Sequence, residues 1–489
     1  MRRWSWAEFL EVRQEVLAGW PTGREVDLEE AVAYHRTLSP EKNYVWRVQR
    51  AKARGETLTQ PRGGVALIDE HIDLVRHLQD AGDCDLCCTT TDSYTRNEQF
   101  AEAERAIQES RRAGRSLLNG LPVVNHGLKE VRRLVEAVRR PLICLSGTAR
   151  PRLTAEVALG AGFTAFLGAC ISYNMAYTKD YPLATAIRNY QYLDRLAAHY
   201  QERGCAIHRE QPGFITGTLI PPGLGVAIAA IEAVLGAAQG LNHYSVGLTH
   251  NMALVQDVAA LRALEAVTRS TLARFGFPST FVTTASHQFM GAFPEDEGQA
   301  YGVIGLGAAI AVLGGATQII TKSAHEAHGI PTKAVNAAGL RATKQVIRML
   351  RGQRLPIDGA VAEEQALIEE EAQAIIGRVA DLGEGDLAVG IPRAFEAGVL
   401  DVPWSPSRFN ANQAMPVRDA LGAVRYLTPG NIPLPARVLA HNRARLDERA
   451  ARTGRKPDYR LALEDVRAIA EPIGRVAPED EAGSPAGPG

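Results

Sequence analysis

The chain carries almost no net charge. Its 54 Lys and Arg residues face 55 Asp and Glu, for a formal charge of −1. No basic field therefore draws it to nucleic acid or to an anionic membrane surface, and any anion-binding arginines must act locally, in a pocket. Long apolar runs are missing too. The most apolar stretch, residues 301–320, is rich in Gly and Ala and broken at Gly314-Gly315, which fits a buried helix followed by a buried strand better than a membrane span. No apolar segment follows Met1-Arg2-Arg3, as a secretory or twin-arginine leader requires. The expectation is a cytoplasmic protein.

Standard ligand-binding signatures are absent as well. The six cysteines are Cys84, Cys87, Cys88, Cys144, Cys170 and Cys205. No second CxxC pair or HxxxH follows Cys84-Asp85-Leu86-Cys87-Cys88 at zinc-site spacing, and free thiols packed in a core are expected. His325 and His328 have the i, i+3 spacing of a metal pair but lack a third ligand in sequence, so no metal is expected. Gly305-Leu306-Gly307 lacks the third glycine of a dinucleotide loop, and neither a P-loop nor GxSxG occurs. Asp69-Glu70-His71-Ile72-Asp73-Leu74 starts like a metal-ligating DxHxxG but lacks its glycine. It lies on an amphipathic helix, so His71 is expected on that helix's surface.

What is present is alternation. Residues 1–56 read as polar helices (8–17, 29–37 and 40–54) packed outside a main domain. From residue 57 to about 335, short apolar or β-branched runs alternate with amphipathic helical stretches, the pattern of βαβ units around a parallel sheet. Candidate strands end near Arg62, Thr91, Asn119, Ser146, Gly168, His208, Gly247, Ser286 and Lys322. That is nine, where a closed (β/α)8 barrel takes eight, so either one of these runs is not a strand or one strand lies outside the barrel. Residues 336–471 read as a mostly helical extension, irregular over 400–426, and 472–489 as a low-complexity, disordered tail.

Polar residues cluster just after the strands, on the rim where barrels build chemistry. Arg62 ends the first strand and Arg96 follows the second. Together they hold a carboxylate by forked hydrogen bonds, or each pairs with a structural acid such as Asp69 or Asp92. Tyr173 and Tyr177 follow the fifth run and either address a ligand or pack. Lys322 and Glu326 stand at the last rim position as a catalytic pair or a structural ion pair.

Taken together, these segments resemble the large subunit of glutamate mutase. The matching stretches include Gln60-Pro61-Arg62-Gly63-Gly64, Tyr94-Thr95-Arg96, Leu117-Leu118-Asn119-Gly120 and Ile171-Ser172-Tyr173-Asn174. Further on, Met290-Gly291-Ala292-Phe293-Pro294, His325-Glu326-Ala327 and Gly329-Ile330-Pro331-Thr332-Lys333 match in order. The resemblance implies a TIM-type (β/α)8 barrel and an adenosylcobalamin-dependent radical rearrangement of a carbon skeleton. It also implies a separate small subunit bearing the DxHxxG histidine, which fits the failed motif at Asp69, and it leaves room for a homodimer of the large subunit. It assigns Arg62, Arg96, Tyr173 and Tyr177 to the substrate. Gly64, Asn119, Ala176, Phe293, Lys322, Glu326 and Ile330 go to the cofactor, with Lys322 and Glu326 on the ribose of the adenosyl group.

Three positions depart from that pattern. Glutamate mutases carry Arg-His where this chain has Leu145-Ser146, a glutamate where it has Leu167, and a proline where it has Ala176. Leu145 and Leu167 can pair with neither a carboxylate nor an ammonium, and an unpaired buried charge costs several kcal/mol. Arg150, nearby, is a candidate replacement for the lost arginine. The expectation is an active mutase with a substrate shifted from L-glutamate. The alternatives are an ordinary glutamate mutase that tolerates the changes, a catalytically silent partner subunit, and a metal-dependent barrel lyase.

Overall fold

The computed structural model describes residues 1–214, 216–353 and 359–471. The tail expected over 472–489 lies outside the described residues.

Eight parallel strands form one sheet: β1 (Leu58–Gln60), β2 (Cys87–Thr90), β3 (Leu142–Leu145), β4 (Ala165–Leu167), β5 (His208–Gln211), β6 (His243–Thr249), β7 (Phe281–His287) and β8 (Gln318–Ile320). They pair in chain order, and β1 pairs with β8. The β1–β2 seam has no regular ladder. It is bridged instead by Leu86 N–H to Thr59 O at 3.1 Å and Thr90 N–H to Gly63 O at 2.9 Å. The result is a nearly closed (β/α)8 barrel with its helices outside.

Side chains alternate across each strand, and the alternation separates two cores. On β4, Phe166 packs outward among the helices, while Ala165 and Leu167 pack inward with Ile143, Leu145 and Tyr173. On β5, Arg209 turns outward to Asp194 at 2.7 Å, leaving His208 and Glu210 to the lumen. The N-terminal mouth is plugged by the helix Tyr44–Arg54. It is capped by Asn43 Oδ1, which accepts from Trp46 N–H. The Tyr44 hydroxyl reaches into the barrel, 2.7 Å from Gln60 Oε1 and 3.2 Å from Glu210 Oε2.

Several expectations need correction. The run ending at Asn119 is a loop, touching the sheet only through a single bridge between Thr91 and Leu121. Its apolar character serves a satellite cluster of Ala66, Ala106 and Leu118, and removing it from the strand count leaves eight. Tyr173 and Tyr177 therefore follow the fourth strand, on the helix Cys170–Tyr177, and the strand near His208 begins there rather than ending. His71 is fully buried, its Nε2 3.0 Å from Thr89 Oγ1. It faces the outer side of β2, because the helix Ile68–Asp80 turns that face to the sheet. The helix Glu297–Leu313 is only half buried. Within 400–426, Met415–Arg418 and Val424–Thr428 form an antiparallel hairpin. It is held by Arg425, which pairs with Asp419 at 2.9 Å and with Glu364.

Candidate active site

The site gathers where β1 to β4 and β8 end. Arg62 leaves β1 after Pro61, its carbonyl held by Asn336 Nδ2 at 2.6 Å, and its guanidinium approaches Met290 Sδ at 3.5 Å. Arg96 sits on a short helical turn, Ser93–Arg96, capped by Asp92. Its Nε donates to Thr91 O at 2.9 Å. Gly147, with φ of +59°, lets the chain pass against the guanidinium, since a Cβ there would lie 2.8 Å from Arg96 Nε. Neither arginine has a carboxylate partner among the described residues. The two structural candidates are engaged elsewhere: Asp69 pairs with Arg133 at 2.6 Å, and Asp92 accepts from Tyr94 and Thr95 N–H. Burial pulls the Arg96 guanidinium down from its ordinary value, with Tyr177, Tyr173 and Asp92 opposing and the nearby Arg62 charge assisting. Two neighbouring guanidinium groups with no carboxylate bonded to either among the described residues make an anion site.

Both tyrosines face it. Tyr173 is fully buried and its hydroxyl has no hydrogen-bond partner. Tyr177 is 46% exposed at the rim, its ring 5.7 Å from that of Tyr173. Burial pushes both phenols up, and the Arg62 and Arg96 charges act against it. Beneath them the floor on β3 and β4 is apolar. Leu145 and Leu167 are register partners, 2% and 0% exposed. Ser146 turns away from this floor and spends its hydroxyl on Leu167 O at 3.0 Å. Arg150 stays outside, stacked over the Tyr181 ring at 4.2 Å and bonded to Asn97 Oδ1 at 3.3 Å.

A second cluster lies toward β8. Lys322 is 5% exposed and pairs with Glu326, while Glu326 Oε1 also accepts from Ser323 N–H at 3.4 Å. Its ammonium lies 5.8 Å from the centre of the Phe293 ring. Burial pulls Lys322 down to about 8, with Glu326 opposing and Arg62 assisting. Gly64 is in backbone contact with the Asn119-Gly120 loop, for a Cβ there would meet Gly120 Cα at 2.6 Å. Asn119 and Ile330 are exposed, Ile330 at 70%, and Ala176 is half buried. The rim thus offers a charged pair, the buried Lys322 with Glu326, and the exposed side chains of Asn119 and Ile330.

No cluster of three or more His, Cys, Asp or Glu able to hold a metal occurs among the described residues. All six cysteines are buried free thiols. No helix among the described residues is long and apolar enough to cross a membrane.

Two inward groups were not found from sequence. His287, on β7, is buried with neither ring nitrogen bonded, and burial and the Arg62 and Lys322 charges keep it neutral. Glu210, on β5, is fully buried; burial pushes it up to about 7, against the bonds from Gln318 and Tyr44. The available signal was the strand His208-Arg209-Glu210-Gln211, four polar residues in a row, whose alternation sends His208 and Glu210 into the lumen and Arg209 outward to Asp194.

The family profile described as Methylaspartate mutase E chain (MutE) matches residues 38–476. Among its relatives is a glutamate mutase epsilon subunit of Desulfitobacterium hafniense, 49% identical over 94% of this chain and 96% of that one. Epsilon subunits of Treponema denticola and Yersinia enterocolitica are 44% and 46% identical, over 95% and 94% of this chain and 96% of each of theirs. The chain belongs to the methylaspartate mutase E chain family, the epsilon subunits of glutamate mutase, which are adenosylcobalamin-dependent isomerases.

Proposed function

We propose that this chain is the large catalytic subunit of a glutamate mutase that interconverts L-glutamate and 3-methylaspartate. One observation carries the reading: Arg62 and Arg96 converge without carboxylate partners above a buried, unpartnered Tyr173 hydroxyl. A dicarboxylate supplies the missing counter-ions. Arg62 and Arg96 grip it by forked hydrogen bonds. Tyr173 and Tyr177 orient it and close the pocket against water, which holds the reacting carbons in place and suppresses side reactions.

The rim fits the cofactor that the family uses. Lys322 and Glu326 hold ribose hydroxyls, and Phe293, Ala176 and Ile330 give apolar contact. The Gly64–Asn119 loop completes the cradle. When bound, adenosylcobalamin supplies the radical chemistry that removes a substrate hydrogen and returns it. His71 is buried behind β2 and bonded to Thr89, so the cobalt-ligating histidine is assigned to a small DxHxxG subunit docked on the rim.

A second reading is favoured by the floor. Leu145 and Leu167 face the lumen without charge, which suits a glutamate-like oxo or hydroxy acid. Incubating the complex reconstituted with its small subunit with L-glutamate, and following the methyl signal of 3-methylaspartate by NMR, tests the first reading. Rearrangement of 2-oxoglutarate or 2-hydroxyglutarate alone supports the second.

A further inference from the structure

We infer that Glu210 receives the amino group of the substrate, a role on which nothing in the Leu145–Leu167 floor can act. The inference rests on the glutamate reading of the same site.

Glu210 is fully buried, and its Oε2 lies against Gln318 Nε2 and the Tyr44 hydroxyl. Its Oε1 has no hydrogen-bond partner. Leaving a buried carboxyl oxygen without a donor is costly, unless a ligand supplies one. Position comes next. Register runs Leu145 to Leu167 to Glu210 across β3, β4 and β5, so Glu210 borders the apolar floor. Cys88, Leu145, Leu167 and Tyr173 belong to the same inward cluster, so the floor beside Glu210 continues to the tyrosine that faces the arginine pair. Among the described residues that the strands turn inward, Glu210 is the one carboxyl group.

Charge completes the case. L-Glutamate carries two carboxylates and one ammonium. Arg62, Arg96 and Glu210 present two cations and one anion, sign for sign. Glutarate, which lacks the ammonium, leaves Glu210 Oε1 unbonded.

The groups packed around Glu210 leave it free to respond alone near neutral pH. Tyr44 from the plugging helix and Cys88 from β2 are pushed up by burial, the latter to about 12. His208, on its own strand, is pushed well down and stays neutral. Gln60 and Gln318 do not titrate, and the Asp194 carboxylate, acting against burial, keeps Arg209 cationic. An arriving ammonium converts Glu210 to its carboxylate. Binding of L-glutamate at pH 7 therefore releases about half a proton, and binding of glutarate does not, although Lys322 acts on both alike.

Calorimetric titration of the full chain with its partner subunit, in buffers of different ionisation heat, reads both affinity and proton release. Wild type is expected to bind L-glutamate more tightly than glutarate and to release the half proton. Glu210→Gln should weaken L-glutamate about 30-fold, leave glutarate within about threefold, and abolish the release. A folded Glu210→Gln complex with unchanged L-glutamate affinity overturns the inference while the glutamate reading stands. If that variant does not fold, wild type decides: no proton release with L-glutamate overturns the assignment. Tighter binding of glutarate than of L-glutamate by wild type sinks the glutamate reading and Glu210's role with it.

Discussion

Replacing Arg96 with Met separates binding from folding. In the free protein the Arg96 guanidinium makes one bond, to Thr91 O, and its charge is partly desolvated beside Arg62 without a carboxylate partner. Removing it loses one hydrogen bond, worth about 1 kcal/mol net, and relieves an uncompensated charge of similar cost. The two offset, so the melting temperature should stay within about 2 °C of wild type. The substrate suffers far more. Losing a forked, charge-assisted contact to a carboxylate costs about 2–3 kcal/mol, or roughly a 30- to 150-fold rise in KM. Arg96→Lys keeps the charge without the fork and should fall between. The assay pairs scanning calorimetry of the chain with steady-state kinetics of the reconstituted complex. A fall of many degrees in melting temperature with KM unchanged would show Arg96 to be structural and refute the reasoning.

Lys322→Ala should cut turnover by about 2–4 kcal/mol of transition-state stabilisation while sparing the fold; unchanged turnover rejects the ribose assignment. Because Lys322 is held near 8, below its unfolded value, its charged form costs stability, which should recover as pH rises from about 8 toward 10.5. Lys322→Met should remove that rise in a urea-melt series across this range. The chain alone should retain cobalamin weakly on gel filtration and tightly once a DxHxxG subunit is added; stoichiometric retention by the isolated chain contradicts the partner assignment. Burial pushes Glu371 up to about 7, so the folded state holds a proton that the unfolded state has lost. Wild type should lose stability as pH rises from about 4.5 to 7, and Glu371→Gln, which still accepts from the Tyr426 hydroxyl, should remove on the order of 2 kcal/mol of that loss.

Much of the barrel was legible because period and punctuation agreed. Ile68–Asp80 and the strand ends at Arg62 and Ser146 follow from apolar patterning and the polar rim residues after it. The loop before Asn119 was misread because an apolar pair, Leu117-Leu118, looks alike whether it enters a sheet or, as Leu118 does, packs under a loop. His71 was misplaced because a histidine on an amphipathic helix carries no sign of which face it takes until Thr89 is seen opposite it. The arginine pair, the tyrosines and the Lys322–Glu326 pair were singled out by their places after the strands and given roles by resemblance, and the structure gathers them on one rim. Glu210 and His287 were missed since their meaning lies in unfilled hydrogen bonds, which only the folded lumen reveals.

The most direct test gives the wild-type complex an equimolar mixture of L-glutamate, 2-oxoglutarate and 2-hydroxyglutarate, with adenosylcobalamin and the small subunit present. The account predicts 3-methylaspartate as the dominant branched product. Rearrangement of the oxo or hydroxy acid with no 3-methylaspartate formed would contradict it and leave the apolar Leu145–Leu167 floor as the determinant of the substrate.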